Sequence, residues 1–157
     1  MAIYLNLEQD CFSLSSQDNF RTFEKEEVMR VETVQTSKAP DAIGPYSQAI
    51  RANGFVFVSG QIPIVPGTGE IVGGGFSDQV RQSLENLKQI LIASGAGLEK
   101  VVAVDIFITD ISQFSAFNKI YEGYFSVHKP ARAVIEVKGL PRGVMVEVKC
   151  VAVAPPV

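Results

Sequence analysis

Tryptophan is absent from this 157-residue chain, and histidine occurs once, as His128. A zinc or non-haem iron centre needs several clustered His, Cys or carboxylate ligands, so one imidazole argues against a metal site. Cysteine is nearly as scarce. Cys11 and Cys150 lie far apart and match no metal-ligand or redox spacing. Cys150 falls in a strongly apolar stretch, where a free thiol behaves as a small hydrophobe. Two unlinked thiols suit a reducing compartment, so a cytoplasmic home is expected. No apolar run approaches the ~18 residues of a membrane helix, so no membrane span is expected. Excess basic charge is missing too: 14 Lys and Arg stand against 17 Asp and Glu, net −3. The basic residues are scattered, which disfavours nucleic acid as a partner.

What is present is an ordinary apolar fraction of 46%, enough for one domain with a real core. Residues 1–30 differ from the rest. They contain no Gly or Pro and carry six acidic against three basic residues, unlike a transit peptide, and Met29 can serve as a start. They read as an N-terminal extension preceding a single domain over residues 31–157.

Within that domain RVETVQT alternates as a strand does. SQAIRAN and FVFVSG follow as two more, joined by Asn53-Gly54, a strong hairpin signal. After a Gly- and Pro-rich loop, FSDQVRQSLENLKQILIASG carries Val80, Leu84, Leu87 and Leu91 on one helical stripe. Ser77 is its expected N-cap, Asp78 suits the positive end of the dipole, and Gly95 suits the stop. KVVAVDIFIT reads as a strand. DISQFSAFNKIYEGYF reads as a second helix, with Asp110 and Gln113 at capping-box spacing and Phe114, Phe117, Tyr121 and Tyr124 on one face. ARAVIEVK and GVMVEVKCVAV close the chain as strands. The order β-β-β-α-β-α-β-β indicates an α+β fold, a sheet with two helices packed on one face.

The other sheet face is then half apolar. Val144, Val146, Val148 and Cys150 point one way along the last strand, and Met145, Glu147, Lys149 and Val151 the other. If Ala133, Ile135 and Val137 also face the helices, Arg132 and Val134 share the second face with Glu147. Such a face suits burial against another subunit.

The segment HKPARAVIEV carries Arg132 into a strand. A guanidinium stays charged, so it needs an anionic partner in any packed setting. Arg132 with Glu147 is either a structural ion pair or a site, and periodicity alone does not decide. The glycine loop from Gly67 to Gly75 misses the dinucleotide and P-loop spacings and reads as a flexible turn. Ser59 in VSGQ lacks a nucleophile-elbow context and reads as a hydroxyl donor at a strand end. His128 reads as a loop bystander. Tyr46, after the Gly44-Pro45 turn, is equally a packing residue or a site residue. Asn118, beside the apolar stripe of the second helix, suits a local hydrogen bond.

Taken together, IGPYSQA, FVFVSGQIP, TGEI, QVRQSLENLKQIL, VVAVDIFITDISQF, FNKIYEGYF, PARAV and GLPRGVMVEVKCVAV resemble the RidA/YjgF family of reactive intermediate deaminases, from about Ser37 to Val153. The resemblance implies a chorismate-mutase-like subunit assembled as a homotrimer with sites between subunits. It further implies hydrolysis of enamines and imines, such as 2-aminoacrylate and 2-iminobutanoate, to 2-keto acids and ammonia without metal or cofactor. Carried over by motif, Arg132 binds the substrate carboxylate and Glu147 activates water. Tyr46, Ser59, Gly60 and Asn118 line the site, and Val134 stands where better-studied members have Cys. An older label on some relatives, endoribonuclease or translation inhibitor, and a non-catalytic module binding small acids are the alternative functions.

Overall fold

The computed structural model describes residues 31–154. The expected extension, residues 1–30, lies outside the described residues, as do Cys11 and residues 155–157.

The elements follow in the expected order: β1 (Val31–Val34), β2 (Ala49–Ala52), β3 (Phe55–Gln61), α1 (Phe76–Ala93), β4 (Val101–Ile108), α2 (Phe114–Tyr124), β5 (Ala131–Glu136) and β6 (Val146–Val153). Asn53 and Gly54 close the β2–β3 hairpin with φ of 49° and 75°. Two left-handed residues match the twist of the flanking strands, which is why this dipeptide is favoured there. All six strands join one sheet in the order β1-β2-β3-β6-β4-β5. Every pairing is antiparallel except β4 with β5, which run parallel. A parallel pair needs a long crossover, and α2 supplies it.

Helix α1 buries the expected stripe: Val80, Leu84, Leu87 and Leu91 are fully covered. They pack in one core with Val146, Val148, Cys150 and Ala152 of β6 and Val104, Ile106 and Ile108 of β4. Each such side chain contributes roughly 1.5–3 kcal/mol over an exposed position. The start of α1 differs from expectation. Gly75, not Ser77, is the N-cap, and its N–H donates to the Asp78 carboxylate at 3.2 Å. Phe76 at the first helical position is buried in the core. Packing therefore draws the helix start back by two residues and overrides the hydroxyl preference. At the other end Gly95 takes φ 77°, and the Ala96 and Gly95 N–H groups donate to Leu91 and Ile92 carbonyls. That is the expected glycine stop.

Two buried amides on α1 go beyond the apolar pattern. Asn86 donates to the carbonyls of Ile62 and Ile64 at 3.2 and 2.9 Å, and Gln79 accepts from the Met145 N–H at 2.8 Å. Both satisfy loop backbone groups that burial would otherwise leave unpaired. The helices cover one sheet face only. On the other, Phe55, Phe57, Ile135 and Val153 remain 41–48% exposed. The Lys149–Asp105 ion pair, 3.4 Å, sits among them.

Candidate functional site

Strand β5 settles the orientation of Arg132 differently from the sequence pattern. Its parallel register sets Arg132 beside Val104 and Val134 beside Ile106, both on the buried, helix-covered side of β4. Ala133 and Ile135 therefore take the open face, opposite to expectation. On β6, Glu147 pairs with Phe107, between the buried Val146 and Val148 and on the other side of the sheet from them. Arg132 and Glu147 thus lie on opposite faces, and Val134 packs against the core instead of joining the open face. The reason is that β5 is an edge strand with apolar residues on both sides, Val134 on one and Ala133 and Ile135 on the other. Its facing comes from register with β4, not from its own alternation.

Arg132 lies against α2. Its guanidinium carbon sits 4.8 Å from the centre of the Tyr121 ring and 5.8 Å from that of Phe114. It has no carboxylate partner among the described residues. Cation–π contact holds the charge in place while leaving its hydrogen-bond donors unspent. Beside it opens a cleft of about 360 Å³, lined by Asn118, Tyr121, Phe125, Lys129, Pro130 and Arg132, with Glu122 at its side. Asn118 Oδ1 and the Tyr121 hydroxyl are buried without hydrogen-bond partners. The expected local bond of Asn118 through that oxygen is absent. Burial pushes the Tyr121 phenol up to about 12, against the lowering pull of Arg132. It stays protonated at neutral pH.

Val134 adds main-chain groups. The Val137 N–H donates to the Ile108 carbonyl at 2.8 Å. By strand alternation Ala133 and Ile135 spend their backbone groups on β4, while Arg132 and Val134 turn theirs outward at the free edge. A Val side chain pointing inward leaves those outward groups untouched.

The remaining site residues gather around β3 and β6. A bulge at Ser59-Gly60 inserts one extra residue into β3 opposite β6. It brings Gly60 against Glu147, so closely that a Cβ on Gly60 would collide with the Glu147 carboxylate. Half-burial raises the Glu147 pKa above the usual carboxylate value, with Lys149 opposing the shift. The Ser59 hydroxyl donates to the Ser47 carbonyl at 2.7 Å, and its N–H to the Gln48 carbonyl at 3.0 Å, as befits a donor at a strand end. Tyr46 is half exposed, and its hydroxyl accepts from the Ile43 N–H at 3.2 Å. It shares a small cleft with Gly60 and Gln48.

Sequence reasoning did not single out Gln48 as a positioning group. It is buried, accepts from the Thr36 N–H at 2.6 Å and donates to the Pro40 carbonyl at 2.7 Å, fixing the loop that leads to Tyr46. Nor did it place Tyr121 in a site, although Asn118 and Tyr121 are three residues apart on one helix face, a spacing that brings side chains together. The His128 ring N–H meets the Val101 carbonyl and ties the approach to β5 onto β4. Among the described residues no three His, Cys, Asp or Glu side chains gather to hold a metal ion, and no helix is long and apolar enough to cross a membrane.

The site residues therefore form two separate groups in one chain: Arg132, Val134 and Asn118 at the α2–β5 edge, and Glu147, Gly60, Ser59 and Tyr46 around β3 and β6. Comparison with known proteins bears on both. The family described as Endoribonuclease L-PSP matches residues 36–154. A RutC family protein of Pyrococcus horikoshii is 49% identical over 121 residues, 77% of this chain and 96% of that protein. The human 2-iminobutanoate/2-iminopropanoate deaminase is 41% identical over 123 residues, 78% of this chain and 90% of that one. The crystal structure of E. coli TdcF with bound serine superposes with a TM-score of 0.75 at 39% identity, covering 79% of this chain and 99% of that chain. With six strands and two helices in the shared order and these similarities across its described length, the chain belongs to the RidA/YjgF family, the Endoribonuclease L-PSP family of proteins.

Proposed function

We propose that the protein hydrolyses small 2-imino acids, 2-iminobutanoate and 2-iminopropanoate among them, to 2-keto acids and ammonia, at sites formed between copies in a homotrimer. The observation that carries this reading is Arg132: a fixed guanidinium with unspent donors beside a cleft of about 360 Å³. The human deaminase among the relatives and the serine bound by TdcF support a small carboxylate as the ligand.

Arg132 grips the carboxylate through two charge-assisted hydrogen bonds, each contributing about 1.5–3 kcal/mol. That fixes the electrophilic C2 in one orientation. Glu147 of a second copy takes a proton as water oxygen bonds to C2, and the C=N double bond becomes a C–N single bond. The carboxyl returns that proton to nitrogen, then takes the proton of the new hydroxyl and passes it to nitrogen as well, so that the C–N bond breaks and ammonia leaves as the C=O forms. A carboxylate whose pKa is raised by burial is a stronger base toward water than an ordinary one. Because the two groups lie on opposite faces and do not reach each other within a copy, a site that uses both takes them from two copies. The exposed aromatic face carrying Phe55 and Phe57 is the surface that association would cover.

The test is release of ammonia and keto acid when a threonine dehydratase generates 2-iminobutanoate in situ. Arg132→Ala reduces release to the uncatalysed rate while the assembly stays intact; unchanged release overturns the reading. RNA cleavage, which the family description suggests, is the second reading. The net charge of −3 counts against it, and salt-dependent binding of single-stranded RNA would favour it.

A further inference from the structure

Lys129 lines the same cleft as Arg132 and has no part in the mechanism above. Neither cation has a carboxylate within ion-pair distance among the described residues. Elsewhere Arg81, Lys88 and Lys149 each hold an acidic partner at 3.4 or 3.5 Å. Two uncommitted cations in one concavity focus a field that draws in anions. Glu122 is the one opposing charge on the lining, and it makes no ion pair with Lys129.

Although Lys129 is exposed, the chain fixes where its side chain starts. On one side the His128 ring meets the Val101 carbonyl, and on the other Ala131 pairs with Ala103 of β4. Pro130 between them has its φ set by its ring, and the residue before a proline is confined to extended backbone. Three residues separate Lys129 from Arg132, so their Cα atoms are at most about 11 Å apart. Two long side chains reaching into one cleft from that separation can hold the two ends of a short diacid. Phe125 and Pro130 supply apolar walls for the carbons between, and about 360 Å³ is the volume of a small-molecule pocket.

We propose that Lys129 receives a second carboxylate, so that the site favours imines of short dicarboxylic amino acids. The proposal rests on the deaminase reading above and names its substrate class. Arg132 holds the carboxylate on C2, and the C=N group turns toward Glu147 of the other copy. The side chain is the substituent left to run along the cleft to Lys129. Because the ammonium is exposed, the preference it confers is modest.

The experiment compares the imines of glutamate and of glutamate γ-methyl ester, which differ by one charge. Both are generated in situ by an amino-acid oxidase, and hydrolysis is followed in competition with an added amine trap. The wild-type protein is expected to favour the glutamate-derived imine by about fivefold in kcat/KM, the upper range for one exposed ion pair. Lys129→Met, which keeps the length of the side chain and removes its charge, lowers that ratio to one or below. Lys129→Arg keeps it above one, and Glu122→Gln raises it. The ratio within one preparation does not depend on the fraction folded. A wild-type ratio at or below one, or a ratio unchanged by Lys129→Met, overturns the role of Lys129; turnover of 2-iminobutanoate by the same sample leaves the deaminase reading intact. Failure of the wild-type protein on all three imines overturns both.

Discussion

Arg132 and Glu147 stand on opposite faces of one sheet, in register with Val104 and Phe107 of the strand that runs between theirs. No rotamer change brings them together, because the sheet itself intervenes. Catalysis that uses both groups must draw them from different copies.

This arrangement predicts complementation. Arg132→Ala and Glu147→Gln each abolish turnover alone. After the two variants are unfolded and refolded together in equal amounts, roughly one site in four pairs an intact Arg132 with an intact Glu147 in a cyclic assembly. About a quarter of wild-type activity should return, measured as keto-acid release. No recovery would place at least one of the two groups outside the chemistry.

Gly60 predicts a loss of activity without a loss of fold. A methyl at this position meets the tip of the Glu147 side chain, which can swing aside, so Gly60→Ala should change stability by no more than about 1 kcal/mol. The carboxylate, however, is displaced, and misplacement by about 1 Å costs on the order of 100-fold in rate. Thermal unfolding and turnover on the same sample separate the two effects.

Glu147 sets two opposite pH trends. Its folded pKa is raised, above all by burial. As a base it acts ionised, so the acid limb of kcat/KM should lie above the ordinary carboxylate value of 4.5. For stability the sign is reversed. Between the unfolded and folded pKa values the native state binds more protons, so the stabilising contribution is complete below the unfolded value and is lost as pH rises through the folded one. Glu147→Gln should therefore match or exceed wild-type Tm at neutral pH, with the difference shrinking as the medium is acidified.

Cys150 should be chemically silent. Burial among β-sheet core residues pushes its thiol up to about 12, and it is a free cysteine. Reactivity follows the thiolate and its exposure. In a Cys11→Ser background, alkylation at neutral pH should proceed only at the rate of unfolding. Prompt labelling of the native protein would contradict the burial.

Much of this was legible in the sequence because it was local. The α1 stripe, the Asn53-Gly54 turn, the Gly95 stop and the inward set Val146, Val148 and Cys150 each follow from a few neighbouring residues. The facing of β5 did not, because Ala133 and Ile135 are as apolar as Val134. Only pairing with β4, more than twenty residues away, decides which set goes inward. The cap of α1 likewise depended on where Phe76 found its pocket. The candidate site residues came from motifs in the sequence, but their division into two groups was not visible there. Tyr121 passed as core, since an aromatic on an apolar stripe gives no sign that its hydroxyl will lack a partner.

The bare aromatic surface around Phe55 and Phe57 has a genetic consequence. If the proposed sites form between copies across this face, a charged substitution there, remote from every reacting atom, silences the protein by scattering its copies and is scored in a screen as a catalytic lesion. Overproducing the altered chain would then rescue it, whereas no dose of an Arg132 variant could.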